Sequence, residues 1–420
     1  MITTGVTGRP WRASITPWGS IEPWEDTPSL NWYVAADDRW HVPADEQSVR
    51  QQRVGGSAVV ETRVRVPSGD VVQRIYSVAD AGGLTVVEIE NDSTLPVAIA
   101  FDRRDVLTER PIVEVPIAGI ELPGGAFVVP LGHRASIRVA IVHGPQRSGA
   151  VPANASSMMQ VVRGWLTLTE RASRCVLPDG ERGATLAEAV TAERCEIALG
   201  SIPRAADDAA GFVLALNELV RMGEPPDHWI PELVDAVERL GPQHGWDADV
   251  ALAAAQHVLM VADERRAGRD LVRLLARRAS SKPSEPSEPP ADVPGGPRAI
   301  AWHESRLASG VDLLPAGLPT EWLGQSVDAY GIPTTGRSTV SFAIRWHGER
   351  PAVIWEQTGE PVVLTASALA PEWRGADAKG EALWPAPPGI GAVIVAGGPA
   401  ATVPDDRVEP GPGDEPGSFT

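Results

Sequence analysis

Cysteine is nearly absent from this sequence, which has only Cys175 and Cys195 among its 420 residues. Such usage is typical of a reducing compartment, where we expect neither a disulfide nor a four-ligand zinc site. The first residues, MITTGVTGRPWRAS, lack the basic start and apolar core of a secretory signal. No apolar run approaches the roughly 18 residues that cross a membrane. We therefore predict a cytoplasmic protein.

Positive charge is also scarce, since the sequence has 37 lysine and arginine residues and 55 aspartate and glutamate residues. The formal net charge of −18 argues against nucleic-acid binding, because such binding needs a basic face that neutralises phosphates. An anionic membrane surface is disfavoured for the same reason. Nucleic acids and membranes are therefore not predicted partners, and no feature identifies a protein partner.

Familiar site motifs are missing as well. The sequence has no Walker loop, no GxGxxG after a strand, no GxSxG elbow, no HExxH and no EF-hand loop. Nucleotide-driven reactions and the common hydrolase mechanisms are therefore not indicated. The eight histidines are scattered, so a zinc site would need residues that are distant in sequence. We predict no cofactor and no metal site.

What the chain does contain is typical of a globular protein, with 43% hydrophobic and 22% charged residues. At roughly 150 residues per domain, its length predicts about three units. The predicted fold class is multidomain α+β. It begins with an antiparallel β-sandwich at 1–150 and a helical-hairpin domain at 151–280. A Pro/Ser/Glu linker at 281–297 then leads to a small β domain at 298–396 and a disordered acidic Pro/Gly tail at 397–420.

Alternation of apolar and polar residues predicts the sandwich. In SAVVETRVRV, Val60, Val64 and Val66 lie on one face and Glu61 lies on the other. After a turn at 67–70, further strand-like runs lie at 71–78, 84–91, 95–101, 117–122, 126–131 and 136–143. In the run at 95–101 the residues predicted to face inward are Leu95, Val97, Ile99 and Phe101. Short strands at this spacing are typical of an antiparallel sandwich.

Apolar residues three or four apart predict helices in the middle of the chain, with Asp247 as one N-cap. These helices lie at 157–171, 184–198, 208–222, 231–240 and 248–279. After the linker we predict a helix at 298–308. Three strands then follow at 339–348, 351–357 and 361–367, with a turn at 347–350.

Tryptophans alternate with carboxylates in the opening segment, 10–43. An indole ring covers the C–H face of a sugar, and carboxylates accept hydrogen bonds from its hydroxyls. The candidate ligand-binding residues are therefore Trp18, Glu22, Trp24, Trp32 and Trp40. The alternative is that the same rings pack against the sandwich edge and seal its core. Burial decides between the two.

Two pairs of neighbouring acids are candidate catalytic residues, namely Glu25 with Asp26 and Asp37 with Asp38. Glycoside hydrolysis needs two carboxyl groups across the scissile bond, one of them with a raised pKa. Because adjacent residues of a strand face opposite ways, a catalytic pair would need one acid from each of these two pairs. The alternative is that these acids cap turns and solvate a loop.

Two stretches, WGSIEPWEDTPSLNWYVAADDRW at 18–40 and SFAIRWHGERPAVIWEQTGEPVVLTA at 341–366, are similar to those of an uncharacterised bacterial family. The order of a β-sandwich followed by paired helices resembles glucoamylase-like and glycogen-debranching-type glycoside hydrolases. Those enzymes carry a full helical toroid, for which 151–280 supplies too few helices. No acid of this chain matches their catalytic pair. The resemblance therefore implies a relative that has lost its catalytic domain.

Three functions are open on this basis. The leading one is a catalytically degenerate, glycoside-hydrolase-like protein that binds an α-glucan-type carbohydrate through the opening segment. The second is an active glycoside hydrolase that uses one acid from each of the two pairs. The third is a protein–protein scaffold in which the linker lets two β units engage separate partners.

Overall fold

The fold is mixed, with strands first, helices in the middle and strands again at the end. The computed structural model of the chain describes residues 1–24, 27–112, 118–144, 149–178, 183–281, 295–335 and 337–390. These residues form seven α-helices and five antiparallel sheets. The predicted combination of antiparallel sheets with helices is confirmed. Within the described ranges, no helix is both long and apolar enough to cross a membrane.

The first part of the chain is a succession of short strands. Its described residues form β1 (Ile2–Gly5), β2 (Arg12–Ile15), β3 (Ile21–Pro23), β4 (Trp32–Ala35), β5 (Trp40–His41), β6 (Arg50–Arg53), β7 (Val60–Val66), β8 (Gly69–Val78), β9 (Leu84–Asn91), β10 (Val97–Phe101), β11 (Leu107–Thr108), β12 (Phe127–Leu131) and β13 (Ser136–Val142). Three sheets result, with strand orders β1-β2-β3, β12-β10-β4-β5 and β11-β13-β9-β8-β7-β6. The opening segment is therefore itself sheet.

The two larger sheets of this part share one hydrophobic core. Trp32 and Phe101 of the four-stranded sheet lie in the same buried cluster as Val64, Ile75 and Val87 of the six-stranded sheet. The predicted alternation of β7 is confirmed, since every second residue points into this cluster. The small sheet closes one end of the core through its own alternate residues, which are Ala13, Ile15 and Ile21.

Two details of the strand prediction are wrong. Leu95 is 43% exposed because it lies in the turn before β10, and only the three residues within β10 face inward. The predicted strand at 117–122 is absent, because the described residues of that stretch, 118–122, have no ladder partner. The apolar residues there indicate a strand, but the proline and glycines that follow, at 123–125, favour a loop.

Helices and one short strand make up the middle of the chain. They are α1 (Met158–Thr169), β14 (Arg174–Val176), α2 (Gly183–Ala198), α3 (Ala209–Met222), α4 (Ile230–Leu240), α5 (Trp246–Val261), α6 (Arg265–Ser281) and α7 (Pro297–Leu307). The apolar stripes of α3, α4, α5 and α6 meet in one buried cluster.

The run predicted as one helical stretch at 248–279 is two helices. The chain turns between α5 and α6, where Asp263 has a φ of 55°. The N-cap prediction is also wrong, because α5 begins at Trp246 with Gly245 as its N-cap. Asp247 lies inside the first turn and accepts a hydrogen bond from Arg298 Nε at 2.7 Å. An acid in the first turn of a helix is favourable for the same electrostatic reason as an acid at the N-cap. The sequence alone therefore does not distinguish an N-cap aspartate from a first-turn aspartate.

The last described part is a sheet with a helix packed on it. Its strands are β15 (Ala308–Ser309), β16 (Asp312–Leu313), β17 (Val327–Thr335), β18 (Ser338–His347), β19 (Arg350–Gly359) and β20 (Lys379–Leu383). The main sheet has the order β14-β17-β18-β19-β20, so the chain segment before α2 supplies an edge strand. The turn predicted at 347–350 is confirmed, since His347 pairs with Arg350.

The strand predicted at 361–367 is wrong. Leu364 and Ala366 are buried in the core of the last sheet, as their alternation indicates. The backbone there makes only isolated bridges, from Leu364 to Gly375 and from Thr365 to Asp312. The neighbour of β19 is instead β20. The predicted linker lies outside the described residues except at its ends, and the predicted tail lies wholly outside them.

A ring of buried ion pairs joins α2, α3 and α7. Arg194 donates to Glu218 at 2.7 Å and to Glu304 at 2.8 Å, and Arg221 donates to Glu304 at 2.8 Å. A further pair between Arg221 and Glu218 closes the ring. All four side chains are at least nine-tenths buried. Ser173, which directly precedes β14, also donates a hydrogen bond from its hydroxyl group to Glu304 of this ring.

Candidate functional site

The described members of the predicted site are distributed over several strands and turns of the first part of the chain. Trp18 lies in the β2–β3 turn, Glu22 in β3, Trp24 directly after β3, Trp32 in β4, Asp37 and Asp38 in the turn after β4, and Trp40 in β5. Glu25 and Asp26 lie outside the described residues. A catalytic pair with one acid from each of the two neighbouring pairs therefore stays a prediction.

The outward side of the β2–β3 hairpin carries an exposed indole. Ser14 pairs with Glu22 across the two strands, so both side chains point to the same side of the sheet, opposite the buried Ile15. Trp24 is 53% exposed, and its Nε1 donates to Ser14 Oγ at 2.8 Å. This hydrogen bond holds the ring along the outward side of the sheet, which Glu22 shares. We call Ser14, Glu22 and Trp24 the Trp24 face.

The β2–β3 turn holds Trp18 at the end of the same hairpin. Gly19 has a φ of 85°, and a β-carbon there would lie 2.1 Å from Gln73 Oε1, so only glycine fits the turn. Gln51 Nε2 donates to the backbone oxygen of Thr16 at 2.7 Å. The turn is therefore seated firmly on the core, and the side chain of Trp18 remains 36% exposed.

Trp32 and Trp40 have less accessible rings. Trp32 is 2% exposed, and its Nε1 donates to the backbone oxygen of Trp18 at 3.0 Å. It pairs with Phe101 in the four-stranded sheet and points into the core with it. Trp40 is partly buried, and its Nε1 donates to the backbone oxygen of Ala118 at 2.9 Å. These contacts show that Trp32 packs in the core.

Asp38 belongs to a small polar network around a buried histidine. His41 is 3% exposed, with Nε2 3.0 Å from Asp38 Oδ1 and Nδ1 3.0 Å from Glu46 Oε1. Desolvation raises the pKa of the Asp38 carboxyl, but hydrogen bonds from His41 and from backbone amides outweigh it, so the net pKa is lowered. A general acid in glycoside hydrolysis needs the opposite shift.

A groove of about 800 Å³ lies apart from all of these residues. Helix α1 forms one wall, and the residues at 5–7 and 77–80 form the other. We call it the α1 groove. Its arginines, Arg163 and Arg171, and the helix glycine beside them were not identified from the sequence. A glycine inside an amphipathic helix is the signal that could have marked this place.

A second cavity, of about 300 Å³, lies beside the ring of ion pairs and is lined in part by Cys175 and His303. Burial raises the pKa of the Cys175 thiol to about 12, so it stays protonated and is a poor nucleophile. Burial, with a smaller effect of Arg306, lowers the pKa of His303 to about 4. The described residues contain no group of three or more His, Cys, Asp or Glu side chains placed to hold a metal ion.

We expect His303 to make the folded state less stable as the pH falls from about 6.5 to about 4. The unfolded chain binds a proton on this histidine near pH 6.5, whereas the folded chain resists protonation until about pH 4. The contribution of His303 to the free energy of unfolding is therefore fully present above about pH 6.5 and declines as the pH falls towards about 4. With allowance for solvent around the partly exposed ring, the loss is about 1–2 kcal/mol.

Urea unfolding of the wild type and of His303→Gln between pH 7 and pH 4 measures this contribution. The free energy of unfolding of the variant should fall less steeply over that interval. Parallel profiles for the two proteins would contradict the assignment, because carboxyl groups titrate equally in both.

Neither a scan against protein-family models nor a search of curated proteins finds a match for this chain. The resemblance to glucoamylase-like and glycogen-debranching-type enzymes therefore stays a prediction.

Proposed function

We propose that the protein binds a neutral carbohydrate of the α-glucan type through the Trp24 face. The observation that carries the proposal is the indole of Trp24, which is 53% exposed and held along the sheet by its bond to Ser14. A ring that is fixed before binding loses little conformational entropy when a ligand covers it. The apolar C–H face of a sugar ring matches such a surface.

The polar neighbours of Trp24 supply the hydrogen bonds that a sugar needs. Glu22 shares the outward side of the hairpin with Ser14, and its partly exposed carboxylate can accept bonds from hydroxyl groups. The Trp24 face offers one exposed indole on the outward side of a hairpin, so it buries only part of each sugar ring. We therefore expect weak binding, with a dissociation constant near about 1 mM.

Titration calorimetry with maltoheptaose tests the proposal. We expect Trp24→Ala to weaken binding by about ten-fold or more, which corresponds to about 1.4 kcal/mol. Tyr330→Ala is the matched control, because Tyr330 is a similarly exposed aromatic residue, at 43%, on the distant sheet that contains β17. Equal affinities for the wild type and Trp24→Ala, or no heat with the wild type at millimolar sugar, would refute the proposal.

The hydrolase alternative has less support. It requires one acid that keeps its proton near neutral pH, and the pKa of Asp38 is shifted downwards by its hydrogen bonds to His41 and backbone amides despite desolvation. The scaffold alternative rests on the linker, which lies outside the described residues. We therefore propose binding without catalysis.

We also propose that the chain keeps the three-unit organisation predicted from its sequence and that it acts in the cytoplasm. Three hydrophobic clusters support the division, because the first sheets, the helices α3 to α6 and the last sheet are each centred on one of them. Smaller clusters around Val162 and Trp165, together with β14, connect these units. The low cysteine content supports the compartment.

A further inference from the structure

Two unpaired arginines line the α1 groove. Arg163 and Arg171 are both exposed, and in the described part of the chain neither has a carboxylate within 4.0 Å. This differs from arginines such as Arg74, which contacts three acids, and Arg298, which contacts two. Free guanidinium groups beside a groove are ready donors for an anion.

Both walls of the groove contribute apolar side chains, namely Val6, Val78, Trp165 and Leu168. An anion that binds here therefore needs an apolar body as well, because a small hydrated ion would leave these side chains in contact with water.

Gly164 is one of the residues that line the groove. It lies in the middle of α1, where glycine is less favourable than alanine for helix stability. A β-carbon on Gly164 would have no atom within 4 Å, so close packing does not explain the glycine. A larger side chain at this position would project from the α1 wall.

The charges around the groove favour one end for the anion. Arg163 lies inside α1, and Arg171 lies in the turn that follows the helix. Asp80, on the opposite wall, accepts a hydrogen bond from the backbone N–H of Ser156 at 3.2 Å. That contact places the one acid of the lining near the start of α1, away from Arg171. An anionic group is therefore best placed at the Arg171 end.

We propose that the α1 groove binds a small anionic ligand with an apolar body, of the alkyl carboxylate class. The carboxylate accepts hydrogen bonds from Arg171, with Arg163 adding to the attraction, and the alkyl chain covers Trp165 and Leu168. This site shares no residue with the Trp24 face, so the two proposals stand or fall separately.

Calorimetry with decanoate and decanol tests the need for charge, since the two probes have chains of equal length. We expect decanoate to bind at least ten-fold more tightly than decanol. Arg171→Gln should weaken the binding of decanoate about ten-fold and leave the binding of decanol unchanged. Arg266→Gln, which removes an exposed arginine of α6 outside the groove, is the control and should change neither.

Gly164→Leu tests the place of binding. The new side chain has room and improves helix propensity, so the variant should fold with an undiminished melting temperature. It should lose decanoate binding and keep maltoheptaose binding. Equal affinities of the wild type for decanoate and decanol, no binding of either, or unchanged decanoate binding by Arg171→Gln or Gly164→Leu would overturn the proposal.

Discussion

Replacement of Glu304 by glutamine is expected to lower the free energy of unfolding by about 3–5 kcal/mol. The change keeps the size of the side chain and removes its charge. Arg194 and Arg221 would then share a single acid, Glu218, in a place where all three are buried. A buried charge without its partner is costly because water cannot reach it.

The location of the ring makes the effect large. Glu304 belongs to α7, while its partners belong to α2 and α3 and the Ser173 hydroxyl comes from the chain beside β14. Burial disfavours the charged form of Glu304, but Arg221 and Arg194 outweigh it and hold the pKa of this carboxyl below its usual value. The stabilisation is therefore present above the unfolded-state pKa and is lost as the pH falls through the folded one.

Urea unfolding at neutral pH measures the change. Glu360→Gln is the matched control, since it makes the same substitution in an ion pair with Arg337 that is exposed on both sides. That variant should change the free energy of unfolding by less than about 1 kcal/mol. A cost for Glu304→Gln no larger than that of the control would show that water reaches the ring.

Replacement of Trp32 by alanine is expected to cost about 3–5 kcal/mol of unfolding free energy. The indole is 2% exposed and lies between the two larger sheets of the first part. Its removal leaves a cavity that the paired strands cannot collapse to fill, because their hydrogen bonds fix the backbone. The backbone oxygen of Trp18 also loses the donor from Trp32 Nε1.

Trp24→Ala is the control for this second prediction, because the same substitution removes an exposed ring. It should lower the free energy of unfolding by less than about 1 kcal/mol, since exposed positions contribute little to the core. Thermal and urea unfolding of both variants supply the comparison. Similar losses of unfolding free energy in Trp32→Ala and Trp24→Ala would mean that burial does not determine how much each tryptophan contributes to stability.

Local periodicity was enough to predict many elements. The alternation in β7 and the apolar stripe of α3 depend on neighbours along the chain, and both predictions are confirmed. The same reasoning failed at 361–367, where the alternation is real but another segment, β20, pairs with β19. A period of two identifies which side chains are buried, and it does not identify the strand that donates the backbone hydrogen bonds.

The candidate site was harder to predict than the fold. Trp24 and Trp32 are the same residue type in the same tryptophan-rich segment, yet one is exposed and the other is core. Glu218 lies on the apolar stripe of α3, and this was the one local sign of the buried ring. The ring members outside α3, Arg194 and Glu304, lie 24 and 86 residues from Glu218, and no spacing rule connects them to it.

The sequence by itself determined the order of strands and helices, because propensity and alternation act between residues a few positions apart. It also determined that tryptophan and carboxylate would lie together near the start of the chain. Only the tertiary structure decided which indole faces solvent, which acids are neutralised and where a groove stays open. Those properties depend on pairing between distant segments, and solvent access at any residue is set by what the rest of the chain places over it.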